Sequence, residues 1–198
     1  MKRENFRIST ILFALIACIM MSATVSAMSR SKLKAAKPAV KFVEAGRTYN
    51  IKQMEKQFIN KKKTDGLFFR KNAYMRRFCR SYNKQYLQCT IKKVTIKGNN
   101  ATVKLRVTHP DAFMACSSAL DDVFDNEVYL YYSNANIDKY IYRHIIEYVD
   151  SDWPVETETN TVTFKTKKIY GKWKIVKRTD AIADIINCEY QSADKETF

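Results

Sequence analysis

Apolar positions change period along this chain, and each change marks an element. Ile51, Met54, Phe58 and Ile59 recur at helical spacing after Asn50, a helix-capping residue, and Thr64-Asp65-Gly66 breaks the pattern. A second helix is predicted with Met75, Phe78, Cys79 and Tyr82 on one face. Arg70, Lys71, Arg76, Arg77 and Arg80 cover much of the rest. The pattern then alternates. Leu87, Cys89 and Ile91 face one way, and Val94 and Ile96 continue after a one-residue shift at Lys92-Lys93, the mark of a bulge. Gly98-Asn99-Asn100 is a turn, and Val103, Leu105 and Val107 alternate with Lys104 and Arg106 to complete a hairpin.

His109-Pro110-Asp111 is expected to stop this strand and start a helix striped by Phe113, Cys116, Leu120, Val123 and Phe124. A further helix carries Ile137, Tyr140, Ile141, His144, Ile145 and Tyr148, and Trp153-Pro154 ends it. A second hairpin sets Val162 and Phe164 against Trp173 and Ile175, with Gly171 near its turn, and Asp180 to Tyr190 closes with a short helix or coil. Strands that pair locally and helices that come in blocks predict an α+β fold. N-terminal helices pack on a curved antiparallel sheet built from two hairpins, with a helical block between the hairpins. No βαβ unit is visible, which disfavours a doubly wound nucleotide fold.

Upstream of these elements, residues 1–27 read as a signal peptide. Lys2, Arg3 and Arg7 precede the uncharged run Ile11 to Met21, and Val25-Ser26-Ala27 offers small residues for cleavage. Residues 28–47 read as a basic tether, because Ser29-Arg30-Ser31-Lys32-Leu33-Lys34 is charged and Pro38 interrupts regular structure. A single α+β domain then spans 48–190, and 191–198 is a tail. The implied location is extracytoplasmic, secreted or at the cell surface. Membrane attachment is expected only through an uncleaved signal or through lipidation at Cys18, within Leu15-Ile16-Ala17-Cys18.

Charge sharpens this picture. The chain carries 35 Lys and Arg against 20 Asp and Glu, a formal charge of +15. A basic exported protein meets anionic polymers, membrane surfaces or acidic proteins, and export disfavours nucleic acid as a partner. Of five cysteines, Cys79, Cys89, Cys116 and Cys188 lie beyond the leader, and two disulfides are permitted. Antiparallel pairing places Cys89 near the strand end from which Cys116 follows by two helical turns, favouring Cys89–Cys116 and leaving Cys79 with Cys188. None forms a C-x-x-C pair, so a redox or zinc motif is disfavoured.

The closing stretch Ile169-Tyr170-Gly171-Lys172-Trp173-Lys174-Ile175-Val176, with the element order over residues 48–180, resembles the nuclear transport factor 2-like superfamily of cone-shaped α+β domains. The resemblance implies that Trp173 plugs the sheet while the flanking lysines face solvent. Exported bacterial domains of this kind include many of unknown role. The superfamily holds isomerases, dehydratases and many non-enzymes, so fold alone does not choose among them.

No catalytic or metal motif stands out. His109 and His144 read as structural, a metal site lacks Asp or Glu partners at ligand spacing, and no cofactor is expected. For an enzyme using the cone pocket, the candidate acids are Asp111, Asp121 and Asp122. The candidate oxyanion donors are Tyr74, Tyr82 and Tyr140. Strand alternation points instead to a basic plate of Lys104, Arg106, Lys165, Lys167, Lys172 and Lys174, which Lys92, Lys93 and Lys97 join if the hairpins share one sheet. Exposed strand lysines also guard sheet edges against aggregation. The expected function is therefore a non-enzymatic binding or interaction module at the bacterial cell envelope, contacting an anionic polymer or an acidic protein surface. The alternative is a small-ligand-binding protein or an isomerase- or dehydratase-like enzyme using the cone pocket.

Overall fold

The computed structural model describes residues 28–64, 66–126, 131, 136–150, 156–177 and 179–197. The expected signal peptide, Cys18 and the Trp153-Pro154 stop lie outside these. The chain is α+β, with seven helices and one four-stranded antiparallel sheet among the described residues. In order these are α1 (Arg30–Arg47), α2 (Ile51–Glu55), a 3₁₀ turn (Lys61–Thr64), α3 (Ala73–Tyr86), β1 (Gln88–Lys97) and β2 (Asn100–Asp111). There follow α4 (Phe113–Asp125), α5 (Ile137–Asp150), β3 (Glu156–Ile169), β4 (Lys172–Ile175), α6 (Asp180–Asn187) and α7 (Tyr190–Thr197).

The two hairpins form one sheet in the order β1-β2-β3-β4. A long β2–β3 ladder joins them, running from Asn100 opposite Lys167 to Asp111 opposite Glu156. The register of β1 against β2 shifts between Ile91 and Lys93, at the expected bulge. Val103, Leu105, Val107, Val162, Phe164 and Ile175 point to one side and are buried. The helices pack on that side.

Three expectations are corrected. Residues 28–47 are not a tether, because Arg30–Arg47 is a helix that runs through Pro38 and buries Ala35, Ala36, Ala39, Phe42, Val43 and Gly46. Pro38 removes one helical hydrogen bond and crowds the preceding turn, but the apolar stripe on either side of it is buried on the sheet. Its alanines permit close approach, and Thr166 Oγ1 donates to the Ala35 carbonyl at 3.2 Å. Of the expected tail 191–198, residues 191–197 belong to α7, which packs on α4 with Ala193 fully buried. The strand does not stop at His109. It continues through Pro110 to Asp111, because β1 ends at Gln88 opposite Thr108 and leaves that edge of β2 with no partner to miss the proline N–H.

The predicted first helix is also shorter than its apolar pattern. Asn50 does cap it, accepting from Gln53 N at 3.2 Å, but it ends at Glu55. Phe58 then bridges to Ile175, with Ile175 N donating to the Gln57 carbonyl at 2.8 Å and Ile59 N to the Ile175 carbonyl at 2.9 Å. This segment covers the edge of β4.

Phe42 is the hub of the core. Its ring centroid lies 5.6 Å from Phe58, 6.0 Å from Phe164 and 6.5 Å from Phe68. A buried polar network fixes the C-terminal helices nearby. Tyr49 Oη donates to Asn187 Oδ1 at 2.7 Å, and Asn187 Nδ2 to the Leu67 carbonyl at 2.8 Å. Asn83 Nδ2 donates to the Ile186 carbonyl at 2.9 Å, and the Cys188 thiol reaches Asn83 Oδ1 at 3.7 Å.

Neither expected disulfide is present, as all four described cysteines are free thiols. Cys89 pairs across the ladder with Val107, and its charged neighbours are Glu44 and Arg47 of α1. Cys116 lies instead near Cys188, Asp111 and Glu189. Cys188 lies beside Cys79. Burial pushes the Cys89 thiol up to about 11 and raises Cys116 and Cys188 well above the usual thiol range.

Two outcomes follow for the fold. Phe42→Ala should cost about 3–5 kcal/mol of stability, the usual loss for a large ring removed from a core. Equilibrium denaturation measures it, and a change near zero would return residues 28–47 to a tether. In the native reduced protein, Cys89 should react first with a thiol reagent, slowly. Cys79, Cys116 and Cys188, all fully buried, should react only on unfolding.

Candidate functional site: basic surfaces of the sheet

Alternation in a pleated sheet decides which side chains share a face, because directly opposed residues point the same way. Lys104 is opposed by Lys93 on β1 and Thr163 on β3, Arg106 by Thr90 and Thr161, and Thr102 by Thr95 and Lys165. Asn100 is opposed by Lys97 and Lys167. The face away from the helices is thus a lattice of lysine, arginine and threonine. Lys92 at the bulge reaches Thr161 Oγ1 at 3.5 Å, and Lys165 Nζ donates to Thr102 Oγ1 at 2.9 Å. From Asn100 to Thr108 and across their partners, none of these positions is acidic.

Of the six predicted plate residues, Lys104, Arg106, Lys165 and Lys167 stand exposed on this face. Lys174 is opposed by Lys167 and Lys172 by Ile169, so both start on the same side. They sit at the β4 edge, however, and the Lys174 ammonium donates to the Lys56 carbonyl. There they line a cleft of ≈ 660 Å³ between α1 and the hairpin tips, with Lys34, Lys37 and Lys41 of α1, Lys168 of β3 and the half-buried Trp173. Trp173 opposes Lys168 and points to the helix side of the sheet. The lysines therefore divide between an open plate and a cleft at its end.

The interior of the sheet is filled rather than hollow. Leu87, Val103, Leu105, Phe164 and Phe42 are all at most 1% exposed on the side the helices cover. The candidate acids and donors of a cone enzyme do not converge. Asp111 Oδ1 accepts from Phe113 N at 3.0 Å at the start of α4, and Asp121 is exposed. Tyr74 packs on Tyr142, and Tyr82 stacks between Phe78 and Tyr86. Burial raises the Tyr82 phenol. Only Asp122 and Tyr140 meet. The Tyr140 hydroxyl donates to Asp122 Oδ2, which also lies 3.4 Å from His144 Nε2, and Asn126 Nδ2 donates to Oδ1 at 3.3 Å. These partners occupy both oxygens of that carboxylate, and the cluster ties α4 to α5.

At the far end of β2 the charge reverses. His109 is 1% exposed, with Nδ1 3.4 Å from Glu189 Oε1 and Nε2 4.0 Å from Glu158 Oε2. Nδ1 also lies 3.3 Å from the Pro110 carbonyl. Burial, then the carboxylates of Asp184, Asp111 and Glu158, pushes the Glu189 carboxyl up to about 7. One ring nitrogen and one oxygen from each of Glu158 and Glu189 lie within 4.8 Å of one another, so these three could hold a divalent cation. Spacing in the sequence could not reveal the set. Glu158 arrives by strand pairing and Glu189 from the turn after α6, where Cys188 and Glu189 both take left-handed backbone angles.

Among the described residues, no helix is long and apolar enough to cross a membrane. No family model, curated protein or solved structure matches the chain.

Proposed function

We propose that this protein is an exported, non-enzymatic module of nuclear transport factor 2-like type that holds an anionic polymer of the bacterial cell envelope on the open face of its sheet. The observation that carries this reading is the single-signed plate. Lys92, Lys93, Lys97, Lys104, Arg106, Lys165 and Lys167 share a face whose other positions are mostly threonine and include no acid. A flat array of this kind tracks a repeating phosphate or carboxylate backbone through charge and releases its counterions on binding. Threonine hydroxyls between the cations add neutral hydrogen-bonding groups at strand spacing. The filled sheet interior supports a binding module over a cone-pocket enzyme. The leader pattern of residues 1–27 supports an extracytoplasmic location.

Reversing Lys104 and Arg106 together, Lys104→Glu with Arg106→Glu, should lower the salt concentration at which the protein elutes from a polyphosphate or teichoic-acid matrix. The dependence of affinity on salt should flatten by about two charges or more. Stability should stay within about 0.5 kcal/mol, since exposed charges contribute little to folding. Unchanged retention would reduce the plate to an aggregation guard. Export is checked separately. N-terminal sequencing of the secreted protein should read Met28-Ser29-Arg30, whereas a lipidated Cys18 or an uncut chain would contradict free secretion.

A further inference from the structure

The cleft beside the plate has its own chemistry. Lys34, Lys37 and Lys41 are spaced three and four residues apart, so they form one face of α1. Lys168, Lys172 and Lys174 come from the β3–β4 hairpin, far along the chain. The fold gathers these six cations into a space whose lining includes no carboxylate. Among the described lining residues like charges are brought together with no carboxylate between them, and an anionic guest is what relieves such crowding.

The shape narrows the guest. A cleft of ≈ 660 Å³ has the volume of a small-molecule site, not of a polymer track. Gly98 and Gly171 at its rim have open space where a Cβ would stand, which keeps the mouth clear. All six cations are lysines. An ammonium is a compact point charge that meets phosphates at many angles, whereas planar carboxylates are matched by the fork of arginine. Lys174 is anchored by the Lys56 carbonyl. Trp173 supplies one apolar, aromatic wall, against which the C–H face of a sugar or polyol ring can lie.

We propose that this cleft binds a compact, multiply phosphorylated polyol or sugar ring, with phosphates on the lysines of α1 and the β3–β4 hairpin and the ring against Trp173. The site is separable from the open sheet face. It uses Lys34, Lys37, Lys41 and Lys168, which are not plate residues, and it stands whether or not a polymer binds the plate.

The test uses the indole itself. The chain has two tryptophans, so Trp153→Phe leaves Trp173 as the sole reporter. Titrating this protein with myo-inositol hexakisphosphate should give a saturable change in Trp173 emission, and calorimetry should give one site per chain. Lys37→Glu with Lys172→Glu should weaken binding by about tenfold or more, because opposite charges face the phosphates directly. Lys104→Glu with Arg106→Glu should change it by less than about threefold, as expected of charges outside the site. Unphosphorylated inositol should not bind, and inorganic sulfate at equal ionic strength should not reproduce the response. Calorimetric binding with no change in emission would overturn the ring's place on Trp173. Equal weakening by the cleft and plate pairs, or an equal response to sulfate, would overturn the cleft as a distinct site.

Discussion

The seating of α1 on the sheet is the contact on which the rest of this molecule depends. Phe42 enters a cluster with Phe58, Phe68 and Phe164, joining the first helix to the β4-edge segment, the loop before α3 and the centre of β3. Ala35, Ala36 and Ala39 let the helix approach closely enough for Thr166 to bond the Ala35 carbonyl. Burial of this stripe outweighs the hydrogen bond lost at Pro38. It also has a consequence at the surface. With its apolar stripe turned inward, α1 can only present Lys34, Lys37 and Lys41 outward, beside the β3–β4 tip, and so it makes one wall of the basic cleft.

Strand register does for the plate what helix packing does for the cleft. Once Val103, Leu105 and Phe164 are fixed in the core, pleating sends Lys104, Arg106 and Lys165 to the opposite side, and a one-residue slip would bury them. The molecule is consequently polar in charge along β2. Cations gather from the Asn100 end, and carboxylates gather around His109 at the Asp111 end. There burial and mutual repulsion raise Glu189. A protein with such separated ends orients itself toward an anionic surface before contact.

Local patterns were legible and assembled ones were not. Alternation showed both hairpins, the bulge at Lys92 and the outward lysines, because period two records a half-buried sheet directly. The helical stripe Ala35, Ala36, Ala39, Phe42, Val43 was present too. The charged residues 29–34 and Pro38 mask it in the sequence, since propensity counts the proline's cost but not the sheet the helix packs on. The expected tail from residue 191 is helical to residue 197 for a similar reason: that polar stretch gains its partners, α4 and α6, only in the assembled fold. The partners of His109 and the lysines across from α1 come from residues distant in sequence, so no spacing rule reaches them. Alternation places Lys172 and Lys174 on the plate side of β4, but the edge position that draws them into the cleft is a property of β4's place in the sheet.

In the proposed function, cations arranged by this sheet hold an anionic envelope polymer. Its most direct test is the equilibrium affinity of the wild-type protein for a long polyphosphate chain across roughly 50 to 200 mM salt. Log affinity should fall steeply and linearly with log salt, with a slope on the order of the number of plate cations engaged. A flat dependence, or no binding at the lowest salt, would contradict it.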